Sequence, residues 1–212
     1  MCTCPLCEQT DSQFFYQDKH RPYYRCSNCM LVFVPEENRL DAKREKAFYD
    51  LHNNDPQDEG YRRFLSRMSV PMAERLSEGS KGLDFGCGPG PTLSLLLEEQ
   101  GHKVSLYDIF YHTDKRVLDR EYDFMTATEV IEHLHHPKQV WQQWLSLVKA
   151  GGWLGVMTKL VIDKDAFVNW HYKNDLTHVC FYSRETFQYL AARDNLQLEF
   201  IGNDVILLRK PQ

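Results

Sequence analysis

The rhythm of hydrophobic and polar positions changes twice along the chain. Up to residue 34 the apolar residues fall in three short β-like runs: Phe14-Phe15-Tyr16, Tyr23-Tyr24-Arg25 and Met30-Leu31-Val32-Phe33-Val34. From Pro35 to about Ser80 the pattern is charged and helical, predicting helices over Leu40–Leu51 and Tyr61–Leu76. Turn-forming residues between His52 and Gly60 separate them. From Lys81 onward strand and helix alternate. Gly82–Phe85, Lys103–Tyr107, Asp123–Thr128 and Trp153–Thr158 read as strands, with helices over Thr92–Gln100 and Lys138–Val148, the latter ended by Gly151-Gly152. A helix capped by Ser183 runs to Asp194, and Gln197–Gly202 with Val205–Arg209 predict a closing antiparallel pair. Such alternation argues for an α/β fold with a mostly parallel sheet covered on both faces.

This divides the chain into three units: 1–34, bounded by cysteines; 35–79, a helical linker or lid; and 80–212, the α/β domain. At 212 residues the chain can bury a sizeable core. Its 42% hydrophobic and 26% charged residues are those of a globular protein. A net charge of −5 argues against a nucleic-acid partner. No apolar run approaches a membrane span of about 20 residues. The start, MCTCPLC, lacks the features of a signal peptide, so a cytoplasmic location is expected. Nothing in the sequence sets the oligomeric state.

The stretch LDFGCGPG, Leu83 to Gly90, ends a strand in a carboxylate and follows it with glycines at 86, 88 and 90. Glycines there let the backbone approach a ligand at the carboxyl edge of the sheet. A dinucleotide loop would place its third glycine where Pro91 stands, so the spacing suits a ligand without a pyrophosphate. Asp108, at the end of the next strand, is placed to accept hydrogen bonds from ribose hydroxyls.

These residues resemble the first two motifs of class I S-adenosylmethionine-dependent methyltransferases. YDFMTATEVIEHL resembles the family's fourth-strand motif, and LVKAGGWLGVM its glycine turn and fifth strand, with Ala150 replacing the usual proline. The resemblance covers about residues 80 to 210. It implies a Rossmann-like sheet and S-adenosylmethionine as cofactor, held by Asp84, Gly86, Cys87, Gly88, Gly90, Asp108, Ile109, Phe110 and Glu129. Cys87 by itself reads as a small buried hydrophobe. The chain departs from the family between Asp108 and Asp123, where fourteen residues leave no room for a third strand with its helix and adenine-binding acid. The sheet should therefore be shortened there, with Phe110 and Tyr111 left to stack on the adenine.

Cys4 and Cys7, then eighteen residues, then Cys26 and Cys29 form two C-x2-C pairs with the spacing of a four-thiolate zinc ribbon. Cys2 is a fifth thiol outside the set. Three cations (Lys19, Arg21, Arg25) against three acids (Glu8, Asp11, Asp18) leave this unit without a basic face. A structural zinc would replace a core too small to hold the piece together. With the helices that follow, the unit should cover the cofactor site, where Tyr49 and Tyr61 are candidate contacts.

Within EVIEHLHHP, residues 129–137, Glu129, Glu132 and His133 fall at i, i+3 and i+4, on one side of a helical turn. The later segment NWHYKNDLTHVCFYS carries Trp170, His171, Tyr172, Asp175 and His178 in the connection where this fold builds its acceptor pocket. E-x-x-E-H with a distant histidine resembles two metal-dependent groups, the ubiquinone-pathway O-methyltransferases and the enzymes that 2′-O-methylate small-RNA ends. That resemblance implies a second site for magnesium or manganese on Glu129, Glu132, His133 and His178; the alternative is a hydrogen-bonded turn. His135 and His136 read as a solvated turn. Candidate catalytic residues are His178, His133 and His171. The leading expectation is O-methylation of a small molecule. An RNA methyltransferase using the zinc unit and a non-catalytic binding module are the alternatives.

Overall fold

The computed structural model describes residues 2–41, 44–46 and 55–212. Tyr49 and most of the helix predicted over Leu40–Leu51 lie outside the described residues.

Among the described residues the main sheet has six strands, β4 (Lys81–Phe85), β5 (Lys103–Tyr107), β6 (Tyr122–Thr128), β7 (Val148–Met157), β9 (Gln197–Ile201) and β10 (Val205–Arg209). Their spatial order is β5-β4-β6-β7-β10-β9. β4 is parallel to β5 and to β6, and β6 to β7, whereas β10 runs antiparallel to both β7 and β9. Between β5 and β6 the chain forms a tight turn bridged from Asp108 to His112 and a 3-10 turn, Lys115–Asp119, so the shortening read from the sequence is present. Buried apolar residues run continuously along β10, as expected of a strand covered on both faces.

Helices α1 (Glu59–Ala73), α2 (Thr92–Glu98), α3 (Pro137–Leu147) and α5 (Arg184–Arg193) pack on the main sheet, whereas α4 (Lys164–Val168) sets Phe167 against Phe15, Tyr23 and Phe181. Asp58 caps α1 by accepting from the Tyr61 amide over 2.8 Å. Met68 and Met72 of α1 pack so closely on β7 that a Cβ at Gly155 would lie 2.7 Å and 2.6 Å from their side chains. Ser183 caps α5 through a reciprocal bond with Thr186.

β7 begins five residues before the predicted Trp153, and Gly151-Gly152 lie inside it rather than ending α3. Its register against β6 shifts there, so the glycine pair forms an irregularity within the strand.

The second sheet contains β1 (Ser12–Gln17), β2 (Pro22–Cys26), β3 (Val32–Phe33) and β8 (Cys180–Phe181), in that order. β8 comes from the far end of the chain, pairing Val32 with Phe181 and Phe33 with Cys180. One hydrophobic core runs from Leu6, Tyr23 and Phe33 through Phe181 to Trp141 and Trp144 under the main sheet.

Candidate active site

The carboxyl ends of β4, β5 and β6 open on a cavity of about 780 Å³. The glycine loop forms one wall. Gly86 takes φ +75°, and a Cβ there would stand 2.4 Å from Val130 Cγ2. Both facts exclude a larger residue. Cys87 and Gly88 share this wall, and Gly90 lies outside the lining, its carbonyl accepting from the Thr92 amide over 2.7 Å.

Asp108, at the tip of β5, organises the loops around it. Its Oδ2 accepts from the Gly88 amide at 3.1 Å, and its Oδ1 from the amides of Phe110 and Tyr111 at 2.8 and 3.1 Å. Ile109, Phe110 and Tyr111 line the cavity on this side, and the two rings meet edge to face with centroids 6.3 Å apart. Asp84 is buried and accepts from Thr126 Oγ1 at 2.9 Å. Burial raises its pKa to about 7. Tyr61, Phe64 and Leu65 bring α1 to the opposite wall.

The E-x-x-E-H segment differs from the predicted helical turn. Glu129 has φ +54°, the left-handed region that costs a side-chain-bearing residue energy, and only Ile131–His133 form a 3-10 turn. The three side chains therefore do not share one face. Glu132 turns into the core and is fully buried, accepting from Thr158 Oγ1 at 3.0 Å and from the Tyr172 hydroxyl. Glu129 remains on the cavity wall, its Oε2 3.2 Å from the same hydroxyl. Burial raises both carboxyl pKa values. Burial also pushes the Tyr172 phenol well above its ordinary range, reinforced by the charges of both glutamates.

His178 Nδ1 lies 2.7 Å from the Tyr172 carbonyl. A carbonyl only accepts, so Nδ1 donates this bond; when the ring is neutral Nε2 is the accepting nitrogen, and it lies 3.8 Å from Asp175 Oδ2. The His133 and His178 rings cross with centroids 4.6 Å apart, and both line the cavity. His171 lines it too, with Nε2 3.1 Å from Lys159 Nζ. Tyr172, which links both glutamates to the histidine loop, had no role in the sequence reading; its neighbours assign it one. His135 and His136 also border the cavity, and Arg39 holds the His135 carbonyl at 2.7 Å, so this turn is more than solvated surface.

Several observations bear on what the residues could hold. Thr128 Oγ1 and Glu129 Oε1 are buried in the cavity wall without a hydrogen-bond partner among the described residues, which suits a polar ligand. Ligand atoms of Glu132, His133 and His178 lie within 4.8 Å of one another, a nitrogen-oxygen set that fits a divalent ion; Glu129 stands outside this group. Away from the cavity the sulfurs of Cys4, Cys7, Cys26 and Cys29 also cluster within 4.8 Å. Their closest pairs, Cys4–Cys29 at 3.5 Å and Cys7–Cys26 at 3.4 Å, approach the roughly 3.8 Å sulfur separation of a tetrahedral zinc–thiolate site. A hydrogen bond from Cys29 lowers the Cys4 pKa to about 6.

A comparison of the sequence with curated proteins yields no match. Among solved structures, the chain resembles Burkholderia thailandensis 1,6-didemethyltoxoflavin-N1-methyltransferase, which holds its substrate and S-adenosylhomocysteine. The TM-score is 0.58 at 13% identity, over 96% of this chain and 100% of that one. It also resembles an O-methyltransferase family protein of the same organism, with TM-score 0.53 and 14% identity, over 81% of this chain and 60% of that one. At these identities the likeness is one of fold. Residues 52–199 match the family described as methyltransferase domain. The glycine loop, the sheet order and this match together make the chain a member of the methyltransferase-domain family, an S-adenosylmethionine-dependent enzyme of the class I fold.

Proposed function

We propose that the protein transfers the methyl group of S-adenosylmethionine to a hydroxyl oxygen of a small molecule, with His178 as the general base. One observation carries this reading: His178, its Nδ1 committed to the Tyr172 carbonyl, lines the same cavity as the glycine loop. On this reading Asp108 receives the ribose hydroxyls, Phe110 and Tyr111 flank the adenine, and Asp84 and Glu129 face the methionine half of the cofactor. Gly86, Cys87 and Gly88 provide the close backbone wall. Methyl transfer is an in-line displacement, so holding the acceptor oxygen behind the methyl group supplies much of the rate. The acceptor hydroxyl loses its proton to His178 Nε2 as the carbon–oxygen bond forms and the sulfonium leaves as a thioether.

Glu132, His133 and His178 would alternatively hold magnesium or manganese through that same Nε2, in which case the ion, in place of the imidazole, would lower the pKa of the acceptor hydroxyl. The cysteine cluster would hold one structural zinc. A small-molecule acceptor agrees with the cavity volume and with an N-terminal unit that lacks a basic face.

The test is transfer of tritiated methyl from labelled S-adenosylmethionine to a panel of phenols, enols, carboxylic acids, amines and mixed RNA. Label should pass to hydroxyl acceptors. Transfer confined to amines or to RNA would overturn the reading.

A further inference from the structure

The guanidinium of Arg21 sits on the short connection between β1 and β2, in the cysteine unit, yet most of its hydrogen bonds leave that unit. Arg21 is 2% exposed. Nη1 donates to the Leu176 carbonyl at 2.7 Å, and Nη2 donates to the carbonyls of Lys173 at 3.1 Å and Asp175 at 2.9 Å. Nε donates to the Tyr23 hydroxyl at 3.1 Å, and that hydroxyl donates to Asp18 Oδ2 at 2.7 Å. The buried charge is thus answered by three carbonyl dipoles and, through Tyr23, by a carboxylate.

The three carbonyls belong to the segment between Tyr172 and His178. Its far end is also held from the cysteine unit: the Val34 amide donates to the Val179 carbonyl at 2.9 Å, and the Val179 amide to the Glu132 carbonyl at 2.8 Å. Inside the segment the His178 amide donates to the Asp175 carbonyl at 3.3 Å, and its Nδ1 to Tyr172. A planar, five-donor fork can gather three carbonyls that point to one spot; a lysine ammonium has neither that shape nor that reach.

We propose that Arg21 is a positioning residue for methyl transfer: from the cysteine unit it gathers the carbonyls of Lys173, Asp175 and Leu176 and so sets where Tyr172 and His178 stand in the cavity. The N-terminal unit then acts on the reaction through this loop, without touching cofactor or acceptor. This rests on the proposed role of His178, but its test does not depend on turnover.

Full-length protein, with and without Arg21→Ala, is compared by nitrogen-15 spectroscopy of the His178 ring, by amide hydrogen exchange and by calorimetric titration with S-adenosylmethionine. In Arg21→Ala the His178 signal should lose its Nδ1–H signature, and the Val179 amide should exchange about tenfold or more faster. The dissociation constant for S-adenosylmethionine should stay within about twofold. Millimolar guanidinium should restore the His178 signature, and sodium chloride at equal ionic strength should not. If Arg21→Ala does not fold, Arg21→Lys carries the same comparison, with loss of the signature expected. An unchanged His178 signal in a folded variant overturns the proposal. So does equal acceleration of exchange throughout β1 and β2, which would make Arg21 a residue of general stability. Absence of methyl transfer to any hydroxyl acceptor would instead refute the reaction assignment and leave these readouts intact.

Discussion

The Tyr172 hydroxyl donates to Glu132, a fully buried carboxylate, and so ties the acceptor loop to the E-x-x-E-H turn. Tyr172→Phe removes that donor and leaves two buried acids to face each other. Methyl transfer should fall by about 100-fold. Stability should drop by about 1–3 kcal/mol in urea unfolding. The dissociation constant for S-adenosylmethionine should be nearly unchanged; loss of cofactor binding would place Tyr172 elsewhere in the reaction.

Asp108 accepts three backbone amides and, on the proposed reading, receives the ribose hydroxyls. Asp108→Ala should weaken S-adenosylmethionine by at least about tenfold in calorimetric titration, because a charged hydrogen-bond acceptor is lost. Asp108→Asn keeps one acceptor oxygen and should fall between the two. Equal affinity for wild type and Asp108→Ala would remove the ribose role.

Elemental analysis should return one zinc per chain, and none after Cys4→Ser with Cys7→Ser. Since Leu6 and the buried cysteines belong to the main hydrophobic core, the melting temperature of that variant should fall as well. Full stability without zinc would show that packing alone holds the unit.

Dialysis against a chelator tests the cluster of Glu132, His133 and His178 separately. If the cluster holds a catalytic ion, activity should vanish in chelator and return with magnesium or manganese, whereas an imidazole base at His178 works without one. Full activity in chelator would leave the three residues a hydrogen-bonded turn.

Asp84 gives the pH dependence a sign. Burial raises its pKa from 3.8 to about 7, so the folded chain keeps this proton where the unfolded chain has released it. The associated stability is fully present below the unfolded value and is lost as pH rises through the folded one, with a slope of up to about 1.4 kcal/mol per pH unit. Asp84→Asn removes that slope. Urea midpoints of wild type minus variant, measured from pH 4 to 8, should decline with pH; a flat difference would show that Asp84 ionises normally.

Most of the main sheet could be read from local pattern, because each strand is either an apolar run or a strand ended by an acid or glycine. Lys103–Tyr107 matches its predicted bounds, and the Asp108–Asp123 spacing announced the shortened sheet. The site was legible as a list of residues but not as an arrangement. Helical spacing put Glu129, Glu132 and His133 together, whereas the left-handed backbone at Glu129 sends Glu132 inward and Glu129 to the wall. Tyr172 and Arg21 escaped because their partners lie far away in sequence: the Tyr172–Glu132 and Arg21–Lys173 bonds span 40 and 152 positions. β8 is two residues long, too short for any periodicity to reveal.

That short strand has a consequence for synthesis. β1, β2 and β3 leave the ribosome well before β8, so the edge of their sheet stays open until Cys180 and Phe181 follow. Until then Val32 and Phe33 expose one unpaired strand edge, a surface that invites wrong partners in a crowded cell. The cysteine unit is thus translated long before its sheet can close, and early capture of a metal ion by the cysteines would protect the nascent chain while it waits.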